Sequence, residues 1–320
     1  MRNAVLHQPS AKLSVQGLTK TYRGKTAVHA ASFDCAGGTI TGFVGPNGSG
    51  KSTTLRMILG HTRADAGQAY FDGVPYVDLH NPGRTVGVLL DASAHHDGRT
   101  VRETLRLAAL TIGVSKARTR ACQTAVGLES VGNKRVGSLS LGMRQRLGIA
   151  VATLGAPRFL ILDEPANGLD PEGIRWLRQL LNSFAATGGT ALVSSHQLAE
   201  LEMVADKLIV IDRGRAREQE ARAFHPAHES VVSTENDVLF RERLTSRGIN
   251  AHANTDHTAL LVEAAPDIVG RIARDSTIAI ESLTSAPLQT LEDFFLETTS
   301  GEHAAGDDSA LFDLLGRPKQ

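Results

Sequence analysis

The sequence predicts an α/β fold with a mainly parallel sheet, and three observations support this prediction. Short apolar segments alternate with helical patterns between residues 39 and 212, as in chains whose helices cross back over one sheet. The apolar runs at 159–162 and 208–212 lack polar alternation, which is typical of strands buried on both faces. A glycine-rich loop at residues 45–50 separates a predicted strand from a predicted helix.

The elements of this first region follow in chain order. An alternating pattern predicts a strand at 12–17, and a second strand is expected at 39–44. In the helix that follows the loop, Leu55, Ile58 and Leu59 share one face. The remaining predictions are strands at 86–90, 159–162, 190–195 and 208–212, and helices at 100–112, 116–127, 140–155, 171–186 and 197–206.

A smaller α/β domain is predicted after the first domain, which we assign to residues 11–214. Residues 215–229 are polar and charged and predict a linker. The accessory domain spans 230–299, and residues 300–320 are acidic and predict a flexible tail. The expected elements of the accessory domain are helices at 236–247, 266–274 and 291–299 and strands at 258–264 and 277–281.

Composition narrows the function classes. The 320 residues contain 34 Lys and Arg and 34 Asp and Glu, so the chain lacks the basic excess of a nucleic-acid binder. The two cysteines, Cys35 and Cys122, are far apart and predict neither a disulfide framework nor a zinc site. No segment approaches the roughly 20 apolar residues of a membrane span. We therefore expect a cytoplasmic protein that leaves any membrane crossing to a partner.

The loop between strand and helix matches the pattern GxxxxGKS of nucleoside triphosphate sites. Its glycines allow backbone N–H groups to surround phosphate oxygens, and the helix that follows presents its positive end. Lys51 brings a cation to the β- and γ-phosphates, Ser52 offers a hydroxyl to Mg²⁺, and Thr53 can reach the α-phosphate. A guanine-reading NKxD motif is absent from the sequence, which favours ATP. The loop residues are Gly45, Pro46, Asn47, Gly48, Ser49, Gly50, Lys51 and Ser52.

Two acidic residues end the apolar strand at 159–162. Asp163 is expected at the carboxyl edge of the sheet, where ligands bind, and there it can hold Mg²⁺. Glu164 comes next and is a candidate general base for a water that attacks the γ-phosphate. Without the phosphate loop, two acids at this place would only begin a surface loop.

With these motifs the chain resembles the ATPase subunits of ABC transporters over about residues 12–215. Residues 138–146, the signature segment, read SLSLGMRQR and match the motif that distinguishes this family. The resemblance implies a P-loop NTPase fold with an antiparallel N-terminal β region and a helical subdomain at about 92–155. It also implies that Ser140 and Gly142 bind the ATP of a second subunit, so that two ATP molecules lie between two ATPase domains.

Three further residues match the family individually. Tyr22 corresponds to the aromatic residue that stacks on adenine, although alone it would be a surface turn residue. Residues 166–170 match the D-loop, and Asp170 couples the two sites or simply caps the helix at Pro171. His196 corresponds to the switch histidine, which contacts the γ-phosphate and helps Glu164 to hold water.

Two departures from the family pattern are present. The signature reads LSLGM where LSGGQ is usual, so Leu141 and Met143 replace Gly and Gln. Asp91 stands where a Gln usually reaches Mg²⁺ and the attacking water, so we expect Asp91 at the nucleotide and the metal. Together with the segment at 291–299, these features resemble the bacitracin- and daunorubicin-type drug-export ATPases.

The resemblance predicts an ATPase that uses ATP and Mg²⁺, with Lys51, Glu164 and His196 as catalytic residues. We expect a homodimer at the inner face of the membrane that drives a separate multi-span permease and exports a drug or lipid-like compound, without nucleic acid. One alternative is a soluble ABC-family ATPase that acts on ribosomes or nucleic acid. The single phosphate loop and the short segment before the signature count against it. A small-molecule phosphotransferase is a third reading, disfavoured by the signature and by His196.

Overall fold

The computed structural model describes residues 11–196, 201, 204–220, 230–253 and 258–285. The chain divides into two compact units, residues 1–221 and 222–320. Within the described ranges, no helix is both long enough and apolar enough to span a membrane.

The first unit contains a six-stranded sheet. Its strands are β3 (Ile40–Val44), β5 (Val86–Leu89), β6 (Phe159–Asp163), β7 (Thr190–Ser195), β8 (Lys207–Asp212) and β9 (Arg215–Glu220). They lie in the order β5-β6-β7-β3-β8-β9, and all neighbours are parallel except β8 and β9. This arrangement confirms the predicted mainly parallel sheet. Strands β3 and β7 are buried along their whole length, which explains why their sequences lack regular polar alternation.

A second sheet confirms the antiparallel N-terminal β region. It consists of β1 (Leu13–Tyr22), β2 (Lys25–Cys35) and β4 (Ala66–Phe71), in the order β2-β1-β4. One hydrophobic core joins residues of both sheets. Within it, the ring centroids of Phe33 and Phe43 lie 5.6 Å apart and those of Phe71 and Phe159 lie 5.0 Å apart. These aromatic contacts fix the antiparallel sheet against the parallel one.

The helices that the structure describes from end to end in this unit are α1 (Lys51–Ile58), α2 (Pro82–Thr85), α3 (Val101–Ile112), α4 (Lys116–Ala125), α5 (Leu141–Thr153) and α6 (Pro171–Ala186). Helix α3 begins with a capping box, because the Thr100 hydroxyl accepts from the Glu103 amide and the Glu103 carboxylate accepts from the Thr100 amide. Val101 and Leu105 of α3 pack with Leu147 of α5 in a separate core. This core holds together the helical subdomain expected from the family resemblance.

Residues 215–220, which the charged composition assigned to a linker, form strand β9. The strand pairs with β8 in an antiparallel ladder from Lys207–Glu220 to Asp212–Arg215, and Lys207 forms an ion pair with Glu218. An edge strand has only one paired side, so polar side chains are tolerated there. Composition alone therefore could not distinguish this strand from a linker. Strands β2 and β4 were likewise not predicted.

The second unit contains β10 (Ser230–Thr234), α7 (Asp237–Thr245), β11 (Ala251–Ala253), β12 (Leu260–Val262), α8 (Pro266–Asp275) and β13 (Ile280–Ser285). All sheet neighbours are antiparallel, in the order β11-β12-β10-β13. The element order β-α-β-β-α-β is that of the ferredoxin-like split βαβ fold. Val232, Phe240 and Val269 are fully buried between sheet and helices.

Several predictions fall outside the described residues. These are the helix at 291–299, the tail at 300–320, the linker at 221–229 and most of the helix at 197–206. The domain boundaries at residues 214, 230 and 299 stay predictions.

Candidate nucleotide site

The site forms where three neighbouring parallel strands end. In the sheet, β7 lies between β6 and β3, so that Asp163 pairs with Ser194 and Val44 pairs with Ser195. The phosphate loop follows Val44, Glu164 follows Asp163, and His196 follows Ser195. Residues that are far apart in sequence therefore meet at one carboxyl edge, where ligands bind in open α/β sheets.

Lys51 lies inside the phosphate loop at the first position of α1. Its Nζ lies 2.6 Å from Gly45 O and 3.2 Å from Pro46 O, and the residue is buried. Burial lowers the pKa of Lys51, while the negative charges of Glu164 and Asp163 act in the opposite direction. An anion in the loop would likewise favour the charged lysine, so the residue is suited to bind phosphate.

The loop backbone requires glycine at position 50. Gly50 has φ +112, and a Cβ there would lie 2.5 Å from Ala27 O of β2. The chain turns at this point into α1, whose first N–H groups are available to an anion. Ser49 Oγ is buried and has no hydrogen-bond partner among the residues that the structure describes. An orphaned buried hydroxyl in the loop fits a bound phosphate oxygen.

The remaining loop residues occupy the surface of the site. Asn47 and Gly48 are exposed at the tip of the loop, and Pro46 and Thr53 are partly buried on either side of it.

Oxygen donors for Mg²⁺ lie beside the loop. Ser52 Oγ donates to Asp163 Oδ2 at 2.8 Å, and Ser194 Oγ donates to Asp163 Oδ1. Mg²⁺ prefers hard oxygen ligands and commonly takes one or two from the protein and the rest from phosphates and water. The Ser52 and Asp163 pair fits this requirement, so these two side chains would hold the ion.

Glu164 has an unusual backbone conformation. Its φ is +50, and its amide donates to Ser194 O at 3.2 Å and to Ser194 Oγ at 3.0 Å. Glu164 Oε2 lies 2.7 Å from Nδ1 of His196. The structure thus brings together the two residues that the sequence predicted as base and switch.

The signature segment and the D-loop lie against each other within one chain. Ser140 caps α5, because its Oγ accepts from the Met143 amide at 3.2 Å. A Cβ on Gly142 would lie 2.6 Å from Gly168 O, so only glycine allows this approach. Leu141, the departure from the usual glycine, is 54% exposed and its side chain covers Gly168.

Asp170 is the N-cap of α6, and its Oδ1 accepts from the Gly173 amide at 2.8 Å. This is the simpler of the two predicted roles for Asp170. The coupling role of Asp170 stays a prediction.

Asp91 lies exposed after β5. Its Oδ1 accepts from the Ser93 amide at 2.7 Å and from Ser93 Oγ at 2.6 Å, and these bonds lower the pKa of Asp91. Within the described ranges, no hydrogen bond joins Asp91 to Ser52 or Asp163. Its predicted roles at the nucleotide and the metal stay predictions.

Tyr22 ends β1, and 47% of its surface is exposed. Lys20 Nζ lies 5.4 Å from the centroid of the Tyr22 ring and 2.7 Å from Asp65 Oδ1. Asp65 Oδ2 also accepts from the Thr21 amide at 2.7 Å. The exposed ring is thus available for stacking, and its strand is held by the Lys20 and Asp65 pair.

Sequence reasoning missed two residues of the site. Ser194 contacts both Asp163 and Glu164, and Gln145 of α5 donates to Glu164 O at 2.9 Å. A signal for Ser194 existed, since a polar residue near the end of a buried apolar strand lies at the ligand-binding edge. Gln145 gave no signal beyond its place in the signature segment.

Comparisons with known proteins agree with this geometry. Residues 28–167 match the family model described as ABC transporter. Lantibiotic transport ATP-binding protein SrtF of Streptococcus pyogenes is 34% identical over 233 residues, which are 72% of this chain and 99% of that protein. Bacitracin transport ATP-binding protein BcrA of Bacillus licheniformis is 38% identical over 213 residues, 66% of this chain and 70% of that protein.

A solved ATP-binding subunit of an ABC transporter is also similar. It shares 29% sequence identity and a TM-score of 0.60 over 65% of this chain and 89% of that one. Its cassette fold agrees with the fold of the first unit, and the sequence relatives agree with its motifs. The chain therefore belongs to the ATP-binding proteins of the ABC transporter family, and it is an ATPase that uses ATP and Mg²⁺.

Proposed function

We propose that two copies of this chain close around two ATP molecules and drive a separate membrane permease that exports an antibiotic or a lipid-like compound. The observation that carries this proposal is the cluster of Lys51, Ser52, Asp163, Glu164 and His196 at one sheet edge. The names of the relatives, which include lantibiotic and bacitracin transport proteins, support the class of substrate.

Each residue of the cluster has one task in the proposed reaction. Lys51 neutralises charge that develops on the β- and γ-phosphates. The Glu164 carboxylate accepts a proton from the water that attacks the γ-phosphate, and His196 holds that carboxylate in place. Mg²⁺, held by Ser52 and Asp163, supplies further charge neutralisation when bound.

The second copy contributes the signature end of its α5. Ser140 and the N–H groups at the start of that helix form an anion site of their own, because a helix N-terminus carries a partial positive charge. In the proposed dimer this end faces the γ-phosphate held by the first copy. Closure and reopening of the dimer then move the permease between its inward and outward states.

The Glu164→Gln variant tests the chemistry. Without a general base we expect the steady-state rate of ATP hydrolysis to fall by about 10²- to 10⁴-fold, while ATP affinity is retained. Unhydrolysed ATP should trap a dimer, which size-exclusion chromatography with light scattering would detect. Glu129→Gln, an exposed change in the helical subdomain, is the control. Hydrolysis at the wild-type rate in Glu164→Gln would contradict the assignment.

Export is tested in bacterial cells that produce the chain together with its permease. Wild-type cells should tolerate more bacitracin or lantibiotic than cells that carry Glu164→Gln. Equal sensitivity, together with ATP-dependent co-sedimentation of the chain with ribosomes, would support the soluble alternative instead.

A further inference from the structure

We propose that Gln145 is a positioning residue that sets the backbone of Glu164 and thereby aims its carboxylate. Gln145 lies in the second turn of α5 and is 3% exposed. Its Nε2 donates to the carbonyl oxygen of Glu164 at 2.9 Å. This inference rests on the proposed role of Glu164 as the general base.

The backbone of Glu164 needs external support. A φ of +50 is uncommon for a residue with a side chain, because Cβ crowds the following carbonyl. Such conformations persist only where surrounding contacts over-determine them. At Glu164 the N–H group is held by Ser194, and the C=O group accepts from Gln145 Nε2 at 2.9 Å and from the Asn167 amide at 3.2 Å.

These contacts fix both peptide planes that flank the Glu164 Cα. The direction of the Cα–Cβ bond follows from the two planes, and with it the place of the carboxylate beside His196. If the bond from Gln145 is lost, only the longer turn bond from the Asn167 amide restrains the following peptide. The carboxylate is then held less firmly in line with the attacking water. Misplacement of a catalytic group by about 1 Å can cost roughly 10²-fold in rate.

Helix α5 gives this bond a further consequence. The same helix begins at Ser140, the group that we propose faces the ATP of the second copy. Gln145 therefore joins the helix that contacts one ATP to the base that acts on the other.

The test uses Gln145→Met in the full chain, because Met keeps the length and apolar volume but has no donor. We expect kcat for ATP hydrolysis to fall by about ten- to a hundredfold, with KM and ATP affinity within about twofold of wild type. Gln123→Met is the matched control. Gln123 is also buried, and its Nε2 donates to Leu128 O at 2.9 Å, inside the helical subdomain. The control should lose similar stability and keep the wild-type kcat.

A second variant, Gln145→Glu, tests the hydrogen bond through the pH dependence of kcat, which a change in packing alone would not alter. A carboxylate cannot donate to Glu164 O, but a protonated carboxyl group can. The ratio of its kcat to that of wild type should therefore rise as pH falls. A ratio independent of pH, or equal kcat losses in Gln145→Met and Gln123→Met, would overturn the proposal.

A double variant distinguishes the proposed role of Gln145 from the proposed role of Glu164. In the Glu164→Gln background, Gln145→Met should cause no further loss of single-turnover rate, because the group that it positions is already absent. A further, additive loss of single-turnover rate would overturn the role of Gln145 and leave the role of Glu164 intact. Wild-type hydrolysis in Glu164→Gln would overturn the proposed base and this inference together.

Discussion

His196 Nδ1 lies 2.7 Å from Glu164 Oε2, although the two residues follow different strands. The contact exists because β6 and β7 are neighbours and in register, with Asp163 opposite Ser194. Glu164 and His196 thus leave the sheet side by side at its carboxyl edge. The imidazole can therefore restrict the rotamers of the Glu164 carboxylate.

Removal of this imidazole should slow hydrolysis without weakening nucleotide binding. In His196→Ala we expect kcat to fall by about 10²-fold or more, since the base loses the group that orients it. ATP affinity, measured with a fluorescent analogue, should stay near the wild-type value, because Lys51 and the loop are intact. His80→Ala, which changes an exposed histidine, should have no effect. A large loss of ATP affinity in His196→Ala would show that the residue binds nucleotide rather than orienting Glu164.

A comparison of two helix-capping serines can distinguish a role in stability from a role in ATP hydrolysis for Ser140 of the signature segment. Ser140 caps α5 and Ser115 caps α4, each by accepting from the third amide of its helix at 3.2 Å. Either Ser→Ala change should lower the free energy of unfolding by about 0.5–2 kcal/mol, measured by denaturant titration. Only Ser140→Ala should also lower the ATPase rate, because only that hydroxyl is proposed to meet ATP. Equal ATPase rates in the two variants would reduce Ser140 to a simple cap.

The extent to which sequence predicted this site follows from how each residue acts. Lys51, Asp163 and Glu164 act through residue type and spacing, and both are visible in a sequence. Ser194 and Gln145 act through contacts that exist only once β6, β7 and α5 are packed. The same holds for β9, because its charged sequence forms a strand only through the hydrogen bonds that it makes with β8 in the folded sheet. The sequence pattern thus predicts the side chains that we propose carry the chemistry, whereas the residues that hold them in place become visible only in the folded structure.

Asp91 should affect the metal response more than the fold. Asp91 is exposed, and within the described ranges its carboxylate accepts hydrogen bonds only from Ser93, so Asp91→Gln should unfold at nearly the wild-type temperature. Gln is longer and uncharged and has the amide usual in the family. We expect the Mg²⁺ concentration that half-activates ATP hydrolysis to shift, while Asp78→Gln, at another exposed acid, leaves it unchanged. An unchanged Mg²⁺ response and rate would make Asp91 a turn residue only.

Cys35 provides a pH-dependent report on the core between the two sheets of the first unit. The residue is fully buried opposite Leu13, and burial raises the pKa of its thiol to about 12 from 9.0. The unfolded chain therefore loses this proton at lower pH than the folded chain, so the contribution of Cys35 to stability is constant below about pH 9 and falls as pH rises from there towards about 12. In Cys122→Ala, which leaves one thiol, alkylation of native protein at pH 8 should be at least about 10³-fold slower than in denaturant, since only the thiolate reacts. Iodoacetamide labelling followed by mass spectrometry measures both rates. Comparable alkylation rates in the native and denatured protein would mean that the core between the two sheets opens readily in the native protein.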